Sequence, residues 1–267
     1  MFDAVVKLGG DVLAGAALVV AAAELAGARA AGRRLVIVHG GGPQTTELSR
    51  RLGIEPTIVG GRRVTDAAAL DVVKMVVAGR LNVDLVAALR AAGVPALGIS
   101  GSSGVVRAHR RPPRVVSGSG GAPVDFGLVG DVEGFDLALL DALDAAGHLP
   151  VVACLGAGPS GEPLNINADV VASQLAAALG ASALVACTAV GGVRRDKDDP
   201  TTRLPRLTVA EARAAIAGGV VQGGMIPKLE EAFAPLAAGV AAVHVVAPGE
   251  IAATLAAPGS VGTLLTA

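Results

Sequence analysis

The chain has 267 residues and a formal net charge of -1, so it is long enough for one large domain or two lobes. This charge gives no electrostatic footprint for nucleic acid or for an anionic membrane surface. Because the chain has four Phe and no Trp or Tyr, it also lacks the rings needed for base stacking or a membrane-interface belt. We therefore expect no nucleic-acid partner and no membrane partner.

Apolar, β-branched runs alternate with alanine-rich helical segments along most of the chain. The predicted strands cover residues 3–8, 34–39, 95–99, 149–155, 183–188 and 241–246. The main predicted helices cover residues 12–31, 66–78, 81–92, 137–146, 165–180 and 226–238. This alternation predicts an α/β fold with a largely parallel central sheet.

Two segments depart from that rhythm. Residues 105–132 carry several arginines, then a Ser/Gly run, then alternating apolar residues, a pattern that favours antiparallel hairpins. Residues 156–163 are rich in Gly and Pro and are predicted to form turns. Cys154 and Cys187 lie in apolar runs without a metal-binding motif, so we expect buried, reduced thiols and a cytoplasmic protein.

Two glycine turns each close a β-branched run, at Val5–Gly10 and at Val36–Gln44. Adjacent glycines at strand ends expose backbone N–H groups that a phosphate can approach without meeting a Cβ atom. Lys7, beside the first turn, makes an anion the expected ligand. His39 lies in the second turn, and the sequence leaves open whether it contacts a substrate or only holds the turn.

Together with Lys7, three further side chains suit these turns to phosphoryl transfer. Phosphoryl transfer needs positive charge and donors around the moving group more than it needs covalent chemistry from the protein. Lys7 and Lys228 supply charge, Asp169 can orient both ammonium groups, and Asn165 can donate to an anionic substrate. Taken singly, Asn165 and Asp169 also fit simple helix caps, and Lys228 also fits a solvated helix residue.

Six segments, in this order, resemble the acetylglutamate kinases of the amino acid kinase family. They are Val6-Lys7-Leu8-Gly9-Gly10, His39-Gly40-Gly41-Gly42-Pro43-Gln44, Arg63-Val64-Thr65-Asp66, Gly127-Leu128-Val129-Gly130-Asp131-Val132, Asn165-Ile166-Asn167-Ala168-Asp169 and Gly223-Gly224-Met225-Ile226-Pro227-Lys228. The resemblance spans nearly the whole chain. It implies a three-layer sandwich around the central sheet.

The resemblance also implies ATP-dependent phosphorylation of the side-chain carboxylate of N-acetyl-L-glutamate, the second step of arginine biosynthesis. By position, Lys7 and Lys228 would contact the transferring phosphoryl group, and Asp169 would organise them. Arg63 would bind the substrate's α-carboxylate, with Asn165 completing that site. Two glycines would add backbone donors to the substrate site: Gly41 and Gly42.

For the nucleotide, the resemblance implies phosphate or ATP contacts at Gly9, Gly10, Thr188, Gly191, Gly223 and Gly224. No protein-bound metal is expected, since Mg²⁺ would arrive with the phosphates of ATP. Residues 1–170 would form an N-terminal lobe with the amino-acid site and the dimer contact, and residues 171–267 a C-terminal lobe for ATP. We expect a cytoplasmic homodimer that is insensitive to arginine.

The chain departs from the family pattern at a few positions. Ala189 stands where family members usually carry Asp, and Asp11 stands where Asn or Ser is frequent. Ser102-Ser103 replaces a common Lys-Asp pair. We therefore expect weaker nucleotide contacts near Ala189, or contacts made by backbone.

Two other functions remain alternatives. One is a kinase that acts on a carrier-linked aminoadipate in lysine biosynthesis. The other is a non-catalytic amino-acid-sensing module of the same fold. The sequence does not distinguish an acetyl from a succinyl group on the substrate.

Overall fold

The computed structural model describes residues 2–116, 119–196, 198–221 and 225–267, with Pro200, Pro227 and Lys228 described by their backbone alone. The strands are β1 (Ala4–Leu8), β2 (Leu35–His39), β3 (Ile58–Val59), β4 (Arg62–Arg63), β5 (Ala96–Ser100), β6 (Val106–Arg110), β7 (Gly130–Phe135), β8 (Leu149–Ala153), β9 (Leu155–Ala157), β10 (Pro163–Asn165), β11 (Ala183–Cys187), β12 (Arg206–Thr208), β13 (Ala242–Val246) and β14 (Thr263–Thr266). The α-helices are α1 (Gly15–Ala30), α2 (Gly42–Arg51), α3 (Ala67–Val73), α4 (Asn82–Ala91), α5 (Leu137–Ala145), α6 (Ala168–Ala178), α7 (Val209–Ala217), α8 (Met225–Ala237) and α9 (Ile251–Ala256).

An 8-stranded sheet forms the centre of the molecule, in the order β12-β14-β13-β11-β1-β2-β8-β5. From β13 through β5 each neighbouring pair is parallel, while β14 runs antiparallel to β13. Every residue of β1 and β2 is buried, which requires cover on both faces of the sheet. The predicted α/β class with a largely parallel central sheet is therefore confirmed.

Two groups of helices provide this cover. Helix α1 packs against α4 and α9, whereas α6 packs against β1, β2, β11 and α8. The apolar core is built almost entirely from Ala, Val, Leu and Ile, with Phe2 and Phe126 as fully buried aromatic rings. Small and branched side chains let helices lie close to a parallel sheet, so the composition suits this arrangement.

A smaller sheet, in the order β10-β9-β6-β7, stands beside the central one. Strands β6 and β7 are antiparallel, which confirms the hairpins predicted within residues 105–132. The turns predicted within residues 156–163 are confirmed for residues 158–162, which connect β9 to β10 in an antiparallel hairpin that the sequence did not predict. Pro163 occupies the first residue of β10, where a strand tolerates the missing N–H.

The helices predicted at 66–78 and 81–92 form one continuous run, with a π-helical segment at Lys74–Leu81 between α3 and α4. The predicted break was wrong, because Gly79 is accommodated inside that segment. The predicted start is confirmed, since the Asp66 carboxylate accepts a hydrogen bond from the Ala69 amide at 2.8 Å.

Across the described ranges, none of the helices combines the length and apolar character that a membrane crossing requires. Cys154 and Cys187 are buried and unpaired, as expected. The predicted boundary between the two lobes, at residues 170 and 171, falls inside α6. The pairing of β1 with β11 places strands from both predicted lobes in one sheet. The division into two lobes stays a prediction.

An ion-pair network ties α1, the start of β2 and α5 together at the amino ends of the strands. Asp144 accepts from Arg29 Nη1 at 2.9 Å and from Arg34 Nε at 2.6 Å. The Arg34 guanidinium also lies 4.9 Å from the centre of the Phe2 ring. Burial alone would raise the pKa of Asp144, but hydrogen bonds and charge from both arginines outweigh it and hold the pKa below its ordinary value.

We expect Asp144→Ala to lower the free energy of unfolding by about 2 kcal/mol, because it strips a nearly buried carboxylate from two guanidinium groups. Asp141→Ala is the matched control. That carboxylate is 58% exposed and, among the described residues, pairs with Arg34 alone, so its loss should cost under about 0.5 kcal/mol. Urea unfolding at neutral pH measures both, and equal losses would contradict the assigned role of Asp144.

Candidate active site

The two glycine turns lie side by side at the carboxyl ends of β1 and β2. The parallel register pairs Leu8 with His39, so the residues that follow each strand emerge together. The Gly40 amide donates to the Leu8 carbonyl at 3.4 Å. In addition, Gln44 Nε2 donates to the Gly10 carbonyl at 2.6 Å and joins the turns directly. One concave surface therefore receives backbone from both turns.

Several backbone amides on this surface are free to bind a ligand. Among the described residues, the amides of Gly10, Gly41 and Gly42 have no hydrogen-bond acceptor. A Cβ atom on Gly41 would collide with the Leu81 side chain, and one on Gly10 would lie 2.8 Å from Gln44 Oε1. The crowding excludes side chains here, while the free amides suit an anion.

A buried ion pair stands at the edge of these turns. Lys7, in β1, places its Nζ 2.8 Å from Asp169 Oδ1, and the two side chains are 7% and 23% exposed. Asp169 belongs to the first turn of α6, which is capped by Asn167 through a bond to the Asp169 amide at 2.9 Å. The cap of this helix is thus Asn167, which leaves the Asp169 carboxylate available to hold the Lys7 ammonium.

Arg63, in β4, reaches the second glycine turn from the side. Its Nη2 donates to Thr46 Oγ1 at 2.6 Å and to the Gly42 carbonyl at 3.3 Å. Its Nη1 is buried and finds no hydrogen-bond partner within the described part of the chain. Burial lowers the pKa of Arg63 from its ordinary value, yet the guanidinium stays charged near neutral pH. An unpartnered guanidinium N–H beside free backbone amides is suited to a carboxylate.

Asn165 ends β10, three residues before α6 begins. Its Nδ2 donates to Thr65 Oγ1 at 3.0 Å, and its backbone amide donates to the Leu128 carbonyl at 2.9 Å. Thr65 is fully buried and lies two residues after Arg63. Thr65 therefore connects Arg63 and Asn165, the two side chains predicted to bind the substrate.

On the other side of β1, the turn after β11 borders the first glycine turn. The Gly9 amide donates to the Cys187 carbonyl at 3.0 Å. Thr188 is buried, and its hydroxyl accepts from the Gly191 amide at 3.2 Å, so it closes this turn. The Ala189 amide donates to Asp11 Oδ2 at 2.7 Å. The backbone amide of Ala189, where the chain departs from the family pattern, thus already has a carboxylate as its acceptor.

The structure brings most of the predicted site residues to one end of the sheet. Gly223 and Gly224 lie outside the described residues, as does the side chain of Lys228. Contacts of any predicted residue with substrate or ATP stay predictions. Sequence reasoning assigned no role to Gln44 or Thr65, although both lie within the quoted motifs.

His39 is fully buried beneath the second turn. Its Nδ1 lies 3.0 Å from the Gly40 carbonyl oxygen, and its Nε2 lies 2.9 Å from Asn82 Nδ2. Burial lowers the pKa of His39 to about 4, although the bond to Gly40 opposes this. Of the two roles left open for His39, the geometry therefore favours holding the turn. The partner, Asn82, carried no signal in the sequence.

The model of the amino acid kinase family matches residues 4–247, and the chain belongs to this family. The acetylglutamate kinase of Sorangium cellulosum is 54% identical, over 98% of this chain and 93% of that protein. The acetylglutamate kinase of Anaeromyxobacter dehalogenans is 52% identical, over 98% of each. A solved N-acetylglutamate synthase from Neisseria gonorrhoeae, complexed with coenzyme A and N-acetyl-glutamate, is similar with a TM-score of 0.83 and 26% identity, over 99% of this chain and 59% of that one.

The buried neutral His39 predicts a loss of stability in mild acid. Its folded pKa of about 4 lies below the ordinary value of about 6.5, so the unfolded chain binds the proton more readily. The free energy of unfolding should thus be highest above pH 6.5 and fall by about 3 kcal/mol as the pH drops to 4.

Urea unfolding across this pH range provides the measurement. His39→Leu should remove about 3 kcal/mol of the pH dependence, whereas His148→Leu, at a partly exposed histidine, should leave it intact. The buried His244 adds a loss of the same sign, because burial lowers its pKa as well. An unchanged pH dependence in His39→Leu would contradict the neutral state assigned to His39.

Proposed function

We propose that this chain uses ATP to phosphorylate the side-chain carboxylate of N-acetyl-L-glutamate, the second step of arginine biosynthesis. The observation that carries the proposal is the pair of adjoining glycine turns, with free amides, beside the Lys7–Asp169 ion pair. Two relatives named acetylglutamate kinase are more than half identical over nearly the whole chain. The chain is accordingly an enzyme that transfers a phosphoryl group to a carboxylate.

The reaction does not require the protein to remove a proton from the acceptor. A carboxylate is already ionised at neutral pH, so this acceptor needs no general base. The requirement is to bring two anions together and to stabilise the charge on the phosphoryl oxygens as it moves between them. The Lys7 ammonium supplies positive charge, and the amides of Gly10 and Gly41 supply donors. Asp169 holds Lys7 in place, and Lys228 is proposed as a second cation.

Substrate recognition is assigned to the second turn and its neighbours. The unpartnered Nη1 of Arg63 is proposed to bind the α-carboxylate, and the Asn165 amide completes that site. Gly42 adds a backbone donor to this site, beside that of Gly41. The side-chain carboxylate of the substrate then points toward Lys7 and the first turn, where the phosphoryl group arrives.

The nucleotide is proposed to bind on the β11 side of β1. The supporting features are the turn closed by Thr188 and Gly191 and its hydrogen bond to the first glycine turn through Gly9. Nowhere in the described part of the chain do three or more His, Cys, Asp or Glu side chains gather around a possible metal position. Mg²⁺ binds through phosphate oxygens and water with few protein ligands, so we propose that it enters with ATP.

The assembly and location follow from the family resemblance. We propose a homodimer in the cytoplasm, with the dimer contact and the amino-acid site in residues 1–170 and ATP in residues 171–267. The buried, unpaired thiols of Cys154 and Cys187 are consistent with a reducing compartment.

Hydroxamate formation from the acyl phosphate tests the function directly. The protein, at saturating Mg-ATP, is compared on N-acetylglutamate, N-succinylglutamate and N-acetylaminoadipate. We expect turnover to be fastest with N-acetylglutamate, because the relatives are named acetylglutamate kinases. Faster turnover of the aminoadipate would favour the lysine-biosynthesis kinase, and no turnover of any would favour the sensing module.

Arg63→Gln should raise the KM for N-acetylglutamate by about 30-fold or more and change kcat much less. A charge-assisted bond to a carboxylate contributes about 2 kcal/mol, and this bond forms in the ground state as well as in the transition state. Arg62→Gln, at the neighbouring residue, is the matched control, because among the described residues the Arg62 side chain donates only to the Gly60 carbonyl, at 3.4 Å. Equal effects of both variants in steady-state kinetics would refute the role given to Arg63.

A further inference from the structure

A buried chain of hydrogen bonds ends on the second glycine turn. Asn82, the first residue of α4, donates from Nδ2 to the Val151 carbonyl at 3.1 Å and faces His39 Nε2 at 2.9 Å. On the far side of the ring, Nδ1 meets the Gly40 carbonyl at 3.0 Å. Asn82 is 6% exposed and His39 is 0% exposed, so water does not compete with these bonds.

These contacts determine which ring nitrogen of His39 carries the proton. The Val151 carbonyl accepts hydrogen bonds only, which fixes the NH₂ group of Asn82 toward it. The same NH₂ group then presents its second hydrogen to His39, so Nε2 must be the acceptor. A neutral imidazole with an acceptor at Nε2 carries its hydrogen on Nδ1. His39 therefore donates to Gly40.

We propose that His39, oriented by Asn82, is a positioning residue that aims the Gly41 amide at the transferring phosphoryl group. In a trans peptide the C=O and the following N–H point in opposite directions. Because His39 holds the Gly40 oxygen toward the interior, the Gly41 N–H points away from it. This amide has no acceptor among the described residues. The inference rests on the proposed function.

The packing around this chain leaves it little freedom to move. A Cβ atom on Gly98 would collide with Asn82 Oδ1, so glycine at that position makes room for the Asn82 side chain. Leu81, at the end of the π-helical segment, packs so closely on Gly41 that a Cβ there would collide with it. The same helical run therefore packs on Gly41 through Leu81 and orients His39 through Asn82.

The preorganisation has a catalytic value that ordinary packing would not have. A backbone donor stabilises developing charge well only if it already points at the right position, and loss of one such donor costs about 10² in kcat. A free glycine peptide flips readily, because both signs of φ are accessible to it. Locking the peptide at Gly40 removes this freedom from the donor at Gly41.

The first test uses the unmodified protein. Long-range ¹H–¹⁵N NMR of the histidine rings should show His39 as the neutral tautomer with its hydrogen on Nδ1 at neutral pH. A hydrogen on Nε2, or an equal mixture of tautomers, would overturn the proposal. This measurement needs neither turnover nor a folded variant, so it is independent of the proposed function.

The second test compares kcat for substitutions at His39. An Asn side chain can place its NH₂ group where Nδ1 lies, whereas Gln reaches the Nε2 position and Leu donates nothing. We expect His39→Asn to keep kcat within about threefold, while His39→Gln and His39→Leu lose about tenfold or more, with a smaller change in KM. Asn82→Leu should behave like His39→Gln.

The control is His148→Leu. His148 Nδ1 also lies near a backbone carbonyl, that of Pro95, at 3.2 Å, but the residue is only partly buried and lies at the amino end of β8. This variant should keep the wild-type kcat. If wild-type protein turns over N-acetylglutamate while His39→Leu retains its kcat, the positioning role fails and the proposed function stands. If His39→Asn loses as much kcat as a well-folded His39→Leu, the donor at Nδ1 is not the cause, and the inference fails.

Discussion

The parallel pairing of β1 with β2, in the register that opposes Leu8 to His39, is the constraint on which the site depends. A shift by one residue would turn Lys7 to the other face of the sheet and part it from Asp169. The same register brings two glycine turns to one edge, where parallel strands commonly present their ligand-binding loops. Gln44 then fixes the turns to each other through the Gly10 carbonyl. The concave surface of the site therefore forms only because the two turns are adjacent.

Burying Lys7 in the sheet is costly and is offset in a specific way. A lone ammonium in this environment would lose its hydration without compensation. Asp169 meets it from the start of α6 at 2.8 Å, and the N-terminus of a helix favours a carboxylate. A buried pair of this kind is weak evidence of stability, since desolvation consumes much of the attraction. The position of the Lys7–Asp169 pair, beside amides that have no acceptor among the described residues, is better explained by a functional role of the Lys7 ammonium.

Local patterns were sufficient to predict much of the fold. The β-branched runs predicted six of the eight strands of the central sheet within one or two residues, and Asp66 predicted a helix start that its side chain indeed caps. The pattern failed where tertiary contacts outweigh local preference. The turn-rich stretch 156–163 extends at both ends into the paired strands β9 and β10, and the Gly79 region has the composition of a helix break but continues as a π-helical segment.

The candidate site divides along the same line. Residue type and order were enough to single out Lys7, Asp169 and Arg63, because charge in a glycine-rich context is visible in a sequence. The partners that orient them were not predictable, since Thr46 and Asn82 are ordinary polar residues until the fold places them. The unpartnered Nη1 of Arg63 is likewise a property of packing alone.

The departures from the family pattern at Asp11 and Ala189 are related in space. In sequence they are 178 residues apart, yet Asp11 Oδ2 accepts from the Ala189 amide at 2.7 Å. The pairing of β1 with β11 makes this possible, because the turns that follow the two strands adjoin. Residue 189 lacks a carboxylate of its own, and residue 11 delivers one to its backbone. The local charge on the proposed nucleotide side is therefore the same as if the carboxylate stood at 189 and a neutral residue at 11.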